Sequence, residues 1–241
     1  MIKLSVNVNK VATLRNARGG NEPDVIEAVG VCIEAGAPGI TVHPRADQRH
    51  ITTADVEKIA VLLKTAGHVE FNIEGDPRPG LVEMVLQVRP AQCTLVPVAP
   101  GEITSQAGWP AGASDRTLTD AINAMKHIGV RVSLFVDPVL DAIRWAADMG
   151  GDRVELYTEP FARAFESQRA QESLKTYAEA AELAHSLGLG VNAGHDLDLR
   201  NLPLFRTLPH LAEVSIGHAL ISHALYVGLD RSVRDYLDAL R

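Results

Sequence analysis

Apolar segments that finish on a histidine, asparagine, glutamate or arginine recur along the whole chain. Two of them finish in Gly-His, at His195 and at His218, and the run at residues 40–42 finishes at His43. A strand that is apolar in its body and repeatedly ends on a reactive side chain brings such side chains to one rim. That layout is typical of a site at the C-terminal face of a parallel barrel.

Strand-like and helix-like segments alternate without a break in composition. The strand candidates are short and rich in Val, Ile, Leu or Thr, and they fall at residues 4–9, 39–43, 69–74, 92–97, 131–137, 153–158, 190–195 and 213–217. The helix candidates have the 3.6-residue spacing of apolar positions and fall at residues 24–35, 54–66, 117–128, 140–149 and 168–187. Thr52 and Asp55 are spaced as a helix cap before the second of these helices.

Strict alternation of strands and helices predicts a parallel sheet covered by helices. Eight strands in 241 residues predict an α/β fold that closes into a single (β/α)8 TIM barrel, with extra short helices and one domain over residues 1–241. A doubly wound open sheet is the alternative. Neither of its usual phosphate-binding motifs, G-x-G-x-x-G or G-x-x-x-x-G-K-[ST], occurs in the chain.

Charge and cysteine content limit the partners and the compartment. Lys and Arg total 23 against 30 Asp and Glu, and the net charge of −7 disfavours nucleic acid and anionic membrane surfaces. No run reaches the roughly 18 apolar residues of a membrane span, and no signal peptide is recognisable. Cys32 and Cys93 form no C-x-x-C pair. We therefore expect a soluble cytoplasmic protein.

The third strand candidate carries two carboxylates whose roles the residues leave open. With the two-residue period of a strand, Glu70, Asn72 and Glu74 share one face, and Phe71 and Ile73 share the other. The polar face is expected to point into the barrel, where a carboxylate is costly unless it is paired or catalytic. Burial would suit such a glutamate to proton abstraction, but an ion pair across the barrel is a serious alternative, especially for Glu74.

The loops after strands two, seven and eight carry further candidates. His43, Arg45 and His50 combine a general acid or base with groups that bind phosphate. His195 and His218 follow glycines in the loops where such barrels often bind phosphate, through backbone N–H groups and a short helix N-terminus. The structural alternative is histidines that are satisfied by backbone hydrogen bonds.

Residues 12–20 follow the first strand and are expected to form a loop that ends in Gly-Gly. Its two arginines, Arg15 and Arg18, suit a second phosphate site. The alternative is a solvated loop, which fits Arg15 better than Arg18 beside the glycines. Neither an H-x-H pair on strand one nor an H-E-x-x-H helix is present, so we predict no metal.

Five segments together carry a resemblance to a known family. They are residues 7–19 (NVNKVATLRNARG), 39–45 (GITVHPR), 49–52 (RHIT), 191–195 (VNAGH) and 216–219 (IGHA). In this order, and nearly from end to end, the chain resembles the pyridoxine 5′-phosphate synthase family, whose members close the ring in vitamin B6 biosynthesis. The first two segments are specific, whereas Gly-His alone is not.

The resemblance implies a (β/α)8 barrel that joins 1-deoxy-D-xylulose 5-phosphate to 3-amino-2-oxopropyl phosphate, giving pyridoxine 5′-phosphate, phosphate and water. It also implies no metal or organic cofactor and an octameric assembly. Carried over by motif, His43 and Glu70 are proton acceptors and His195 is the proton donor. The phosphorylated substrates would be held by Asn7, Arg18, Gly217 and His218 for the aminoketone, and by Arg45, His50 and Thr104 for the deoxyxylulose.

Three substrate-binding candidates depart from the commoner family form, which has Asp-His in place of Asn9-Lys10 and Gly in place of Asp196. Asn9 cannot act as a base, and Lys10 keeps a cation for a phosphate but loses the imidazole. Asp196 adds a negative charge beside an expected phosphate site. These departures affect the expected substrate contacts more than the reaction.

Two other functions are compatible with the residues. One is a different phosphate-handling barrel enzyme, an isomerase or aldolase; a Schiff-base aldolase would require a lysine inside a strand, and Lys10 is the lysine near a strand end. The other is a non-catalytic binding protein that has kept the barrel, with Asn9 and Asp196 as signs of lost catalysis. A turnover assay with both substrates would separate these functions.

Overall fold

Eight parallel strands close into a barrel in sequence order. The computed structural model describes residues 1–98, 106–113 and 115–241. The strands are β1 (Lys3–Asn7), β2 (Gly39–Val42), β3 (Glu70–Gly75), β4 (Gln92–Leu95), β5 (Arg131–Val136), β6 (Arg153–Tyr157), β7 (Gly190–Gly194) and β8 (Leu211–Ile216). The pairing of β1 with β8 closes the sheet, so the TIM-barrel prediction is confirmed and the open sheet is excluded.

Helices surround the barrel, and several short ones are inserted between the regular ones. They are α1 (Asn9–Asn16), α2 (Val25–Glu34), α3 (Thr53–Thr65), α4 (Pro79–Val88), α5 (Arg116–His127), α6 (Leu140–Asp148), α7 (Glu159–Glu166), α8 (Ala170–Ser186), α9 (Leu202–Phe205), α10 (His218–Val227) and α11 (Leu229–Ala239). Across the described ranges, no helix is long and apolar enough to cross a membrane.

The capping prediction for α3 is confirmed, whereas five helices were not predicted: α1, α4, α7, α9 and α11. The Thr52 side chain accepts a hydrogen bond from the Asp55 backbone N–H, and the Asp55 carboxylate accepts one from the Thr52 N–H. Residues 12–20 were expected to form a loop, but residues 9–16 form helix α1. Helix α4 begins at Pro79, which lacks an N–H but is tolerated in a first helical turn.

The inside of the barrel is polar from bottom to top. On β3, Phe71 and Ile73 are buried in the core beneath the helices, as the two-residue period predicted. Asn72, on the opposite face, contacts the hydroxyls of Thr41 and Thr94 on the neighbouring strands β2 and β4 at 3.3 and 3.1 Å. Ionisable side chains lie above and below this layer of small polar groups.

Candidate active site

A cavity of about 500 Å³ lies at the C-terminal mouth of the barrel. Most of the residues that the sequence singled out line it, namely Asn7, Asn9, Lys10, His43, Arg45, His50, His195, Asp196, Gly217 and His218. Strands β1, β2, β7 and β8 supply them, because the carboxyl ends of parallel strands meet at one face. Glu70 and Arg18 do not line the cavity, and Thr104 falls outside the described residues.

Glu70 lies at the opposite end of the barrel, where β3 begins. Its carboxylate is ion-paired with Lys3 and with Arg131, in each case with a short contact. These two cations hold the pKa of Glu70 below its ordinary value, although burial acts in the opposite direction. The expectation that Glu70 is the proton acceptor is therefore corrected by its position at the far end of the barrel. The ion pair considered for Glu74 is made by Glu70 instead.

Glu74 is the carboxylate that β3 delivers to the cavity. Its side chain is 12% exposed. Its oxygens accept long hydrogen bonds from Ser215 Oγ at 3.3 Å and from Asn7 Nδ2 at 3.4 Å. Burial raises the pKa of Glu74 to about 7, and nearby His195 and the Ser215 hydroxyl offset only part of the effect. A carboxyl group that titrates near neutrality can both accept and return a proton.

His43 is held at the mouth by its backbone. Its N–H donates to Asn9 Oδ1 at 2.9 Å, and the Asn9 N–H donates to Asn7 Oδ1 at 3.0 Å. Burial, reinforced by the positive charge of Arg45, lowers the pKa of His43 to about 3, so its ring is neutral. Nδ1 lies 4.0 Å from Glu74 Oε2. The buried Nε2 has no hydrogen-bond partner within the described ranges, and a buried polar atom of this kind is suited to a ligand.

His50 is the second neutral imidazole at the mouth. Its Nδ1 accepts the Ile51 N–H at 2.9 Å, which leaves Nε2 to carry the proton and act as a donor. Burial, followed by the charges of Arg45 and Lys10, lowers the pKa of His50 to about 4. Lys10, Arg45 and Arg49 add positive charge on the same side of the cavity, in a protein that is negative overall.

The loop that carries His50 is fixed from behind by Arg15. The Arg15 guanidinium binds both Asp55 carboxylate oxygens, at 2.6 and 2.9 Å, and donates to the His50 carbonyl oxygen at 3.2 Å. Asn16 Nδ2 donates to the carbonyl oxygens of Arg49 and His50, at 3.1 and 2.9 Å. Arg15 was expected to contact phosphate or solvent; instead it joins α1, the loop and α3.

His195 and Asp196 follow β7 with backbone angles that are unusual for residues with a side chain. Their φ angles are 95° and 57°, both in the left-handed region. The His195 ring packs against the edges of Tyr157 and Phe135, with centroids 5.2 and 6.4 Å apart. Asp196 Oδ2 lies 3.1 Å from His195 Nδ1. The sequence predicted the position of both residues at the rim but not this contact between them.

Gly217 lies where β8 passes close to β1. A Cβ at this position would come within 3.0 Å of Asn7 Cβ and 3.1 Å of the Asn7 carbonyl oxygen, so a side chain would push the two strands apart. Helix α10 begins directly afterwards at His218, and its first turn lines the cavity with His218 and Ala219. The predicted helix N-terminus beside the glycine is confirmed.

Several lining residues were missed or left undecided by the sequence. Glu155 on β6 is buried beneath the cavity, and burial together with the charge of Glu74 raises its pKa well above the ordinary value. Glu155 falls within the sixth strand candidate, but the sequence does not assign it a role. Phe135 and Val96 form an apolar wall of the cavity that no strand-end motif indicates. Ser215 also lines the cavity and directly precedes the motif at residues 216–219.

Arg18 lies outside the cavity, in the exposed segment after α1. Its role as a phosphate ligand stays a prediction. Within the described ranges, no three His, Cys, Asp or Glu side chains form a group that could hold a metal ion. The absence of a cofactor likewise stays a prediction.

A closed (β/α)8 barrel with acid–base side chains gathered at its C-terminal mouth has the architecture of a TIM-barrel enzyme. Residues 4–241 match the family described as pyridoxal phosphate biosynthesis protein PdxJ, and the chain belongs to that family. It is 52% identical over 242 residues to the pyridoxine 5′-phosphate synthase of Christiangramia forsetii, and 52% identical over 242 residues to that of Bacteroides fragilis strain YCH46. Each alignment covers 100% of this chain and 100% of the relative.

More distant solved structures share the fold. Phosphoribosyl anthranilate isomerase from Thermus thermophilus aligns with a TM-score of 0.58 and 12% sequence identity, over 99% of this chain and 98% of that chain. At this identity the likeness concerns the barrel alone.

Proposed function

We propose that this enzyme is a pyridoxine 5′-phosphate synthase, which condenses 1-deoxy-D-xylulose 5-phosphate with 3-amino-2-oxopropyl phosphate to give pyridoxine 5′-phosphate, phosphate and water. Full-length relatives that bear this name support the proposal. The observation that carries it in the structure is the convergence of His43, Glu74 and His195 on one cavity.

We assign proton transfer to these three side chains. An amine that condenses with a ketone must gain and lose protons repeatedly, and elimination of phosphate and water needs both an acid and a base. Neutral His43 and Glu74, which titrates near neutrality, are the proposed proton acceptors. His195, on the other side of the mouth, is the proposed donor. The reaction needs no oxidation or reduction, so these side chains and the substrates suffice.

Two separate regions of the mouth suit two phosphate groups. Arg45 and His50, with Lys10 nearby, offer a charged donor and a neutral donor for the deoxyxylulose phosphate. On the other side, Gly217 and His218 open helix α10, whose N-terminal N–H groups and dipole favour an anion such as the aminoketone phosphate. Asn7 and Asn9 lie between the two regions, and both already hold the backbone near His43.

The two alternative functions receive less support. Lys10 is the lysine among the lining residues, and it follows β1 at the start of α1 rather than lying within a strand, as a Schiff-base aldolase would require. A binding protein without catalysis would have no need for a carboxyl group held near neutrality beside a neutral histidine.

We also propose that residues 1–241 form one domain, that the protein acts in the cytoplasm, and that it assembles as a homo-oligomer, an octamer by family resemblance. The two buried free cysteines are consistent with a reducing compartment. The partners are then the two phosphorylated small molecules, without nucleic acid or membrane.

The proposed reaction is tested by incubating the purified protein with both substrates and measuring pyridoxine 5′-phosphate and released phosphate. We expect product only when both substrates are present. His195→Ala should fold normally and lose most turnover, by roughly 10²–10⁴-fold. Tight binding of both substrates without any product would instead favour the non-catalytic alternative.

The assignment of two phosphate regions has its own test. Arg45→Ala should weaken the deoxyxylulose phosphate by about one to two decades, the size of a lost charge-assisted contact. The aminoketone phosphate should bind almost as before, because α10 and Gly217 are untouched. Calorimetry with each ligand alone measures both values, and equal weakening of the two ligands would contradict the assignment.

A further inference from the structure

We propose that Asp196 is a positioning residue for His195: its carboxylate holds the imidazole by Nδ1 and fixes the tautomer of the ring, so that the proton donor works as a histidine–carboxylate pair. The sequence offered Asp196 only as a substrate contact. This inference rests on the proposed function for the donor role of His195, whereas the pairing itself does not depend on it.

The pairing is built by the backbone. Adjacent side chains usually diverge, but the two successive left-handed φ angles of His195 and Asp196 bring Oδ2 to 3.1 Å from Nδ1. Such angles need support from the surroundings when the residue is not glycine. Thr158 Oγ1 donates to the carbonyl oxygens of Gly194, at 2.7 Å, and of His195, and Asn201 Nδ2 donates to the Asp196 carbonyl oxygen at 3.0 Å.

The ring of His195 is also held from the side. Tyr157 lies edge-on to it with a centroid distance of 5.2 Å and an interplanar angle of 74°, and Phe135 lies beyond. With Nδ1 turned to Asp196, proton transfer to a substrate would pass through Nε2. An orienting carboxylate that fixes the tautomer of a catalytic histidine is a general device in acid–base sites. The hydrogen bond from His195 keeps the pKa of Asp196 below its ordinary value, so its carboxylate is charged at neutral pH.

Other ionisable groups surround the pair and must be separated from it experimentally. They are Glu74 on β3, Glu155 and Tyr157 on β6, Glu159 on α7 and His218 on α10. Glu74 changes charge near neutrality and acts on His195, so a pH profile of turnover alone would mix the two carboxylates. A direct measurement on the His195 ring avoids this.

The test is an NMR measurement of the ring nitrogens in protein with ¹⁵N-labelled histidine, which reports the tautomer of each imidazole, with the His195 signals assigned from His195→Gln. Asp196→Asn removes the charge but keeps a left-handed backbone, since asparagine adopts that region readily. Glu159→Gln is the matched control, because Glu159 and Asp196 both act on Tyr157 but Glu159 makes no hydrogen bond to His195 among the contacts described. We expect the neutral His195 ring to carry its proton on Nδ1 in the wild type and in Glu159→Gln, and this preference for the Nδ1–H tautomer to be lost in Asp196→Asn only.

The same variants then give an activity readout. A donor whose ring is no longer held in place transfers its proton less well, so kcat should fall in Asp196→Asn with KM little changed, and both constants should stay the same in Glu159→Gln. An unchanged His195 tautomer in Asp196→Asn would overturn the pairing even in a fully active enzyme, and so would an equal change in both variants. The expected NMR result in a protein without turnover would instead refute the proposed function and leave the pairing intact.

Discussion

Glu70 and Glu74 show how much depends on the direction of a strand. They share one face of β3, and four residues of strand separate them by about 13 Å, so one lies at the closed bottom and the other at the mouth. We predict that Glu74→Gln lowers kcat by roughly 10²–10⁴-fold. Glu70→Gln should retain nearly normal kcat, because it only disturbs the pairs with Lys3 and Arg131.

Steady-state kinetics on both purified variants, with circular dichroism to confirm folding, decide between the two carboxylates. Both changes remove one carboxylate from the same strand, so each serves as the control for the other. A damaged Glu70→Gln enzyme beside an active Glu74→Gln enzyme would restore the assignment that the resemblance implied.

Replacing Glu74 by glutamine should raise the stability of the protein at alkaline pH. Its folded pKa of about 7 lies above the ordinary value of 4.5, so the folded state favours the protonated form and stability is lost as the pH rises from about 4.5 through 7. Glutamine keeps the neutral shape at every pH. Glu74→Gln should therefore be more stable than the wild type at pH 8, by roughly 1–3 kcal/mol, and about equal to it at pH 4.5.

Chemical denaturation at the two pH values measures this difference. A Glu74→Gln protein that is less stable than the wild type at pH 8 would show that the charged Glu74 carboxylate does not lower the free energy of unfolding. Glu70→Gln is the opposite control, since cations lower the pKa of Glu70, and its loss should weaken the fold at pH 8.

The sequence predicted many site residues because strand ends are readable and strand direction is fixed by the chain. His43, His195 and His218 were placed correctly at the mouth. The same logic would have selected Glu74 over Glu70, since Glu74 is nearer the C-terminal end of β3. The contact between Asp196 and His195 could not be predicted, because it depends on two left-handed residues that local propensity disfavours.

At the scale of elements, Arg15 connects α1 to α3 through the loop that carries His50. The bidentate pair with Asp55 is largely buried, with side-chain exposures of 13% and 10%. We predict that Arg15→Lys raises KM for 1-deoxy-D-xylulose 5-phosphate several-fold and changes kcat little, because lysine cannot make the bidentate contact and still reach the His50 carbonyl oxygen. Kinetics with each substrate varied in turn give the two constants.

Arg144→Lys is the matched control, since Arg144 makes an exposed pair with Asp141 within α6. It should leave both KM values unchanged. If Arg15→Lys raised KM for both substrates equally, Arg15 would support the whole mouth and not the His50 loop in particular.

The elements themselves were predicted unevenly, for a physical reason. Helix α3 was foreseen with its cap at Thr52, because side chains that satisfy the first N–H groups leave a local pattern. The sequence does not predict helix α1, because only Val11 and Ala12 of its residues are buried and the apolar spacing is weak. Its helical form is supported by tertiary contacts such as Arg15 with Asp55.

At the scale of the whole molecule, closure of the barrel brings β1 beside both β2 and β8, and this unites chemistry from the two ends of the chain. The alternation of elements predicted this closure, because eight strands of similar length with helices between them have few other arrangements. The exposed apolar residues of the outer surface were less predictable, because they do not follow the regular spacing that marks the buried face of a helix or strand.

The exposed end of helix α10 leads to a prediction on assembly. Leu225, Tyr226 and Val227 are consecutive apolar residues there, with 72%, 89% and 41% of their surface exposed. Apolar side chains in such a cluster are typical of an interface, and a central aromatic residue often dominates the binding energy of the interface.

We predict that the protein forms an oligomer with several times the 25.9 kDa mass of one chain. Tyr226→Glu should weaken the association of the subunits by at least about thirtyfold. Light scattering over a concentration series measures both, with Val61→Glu on α3 as an exposed apolar control; a wild-type monomer, or an equal effect of Val61→Glu, would contradict the role of α10.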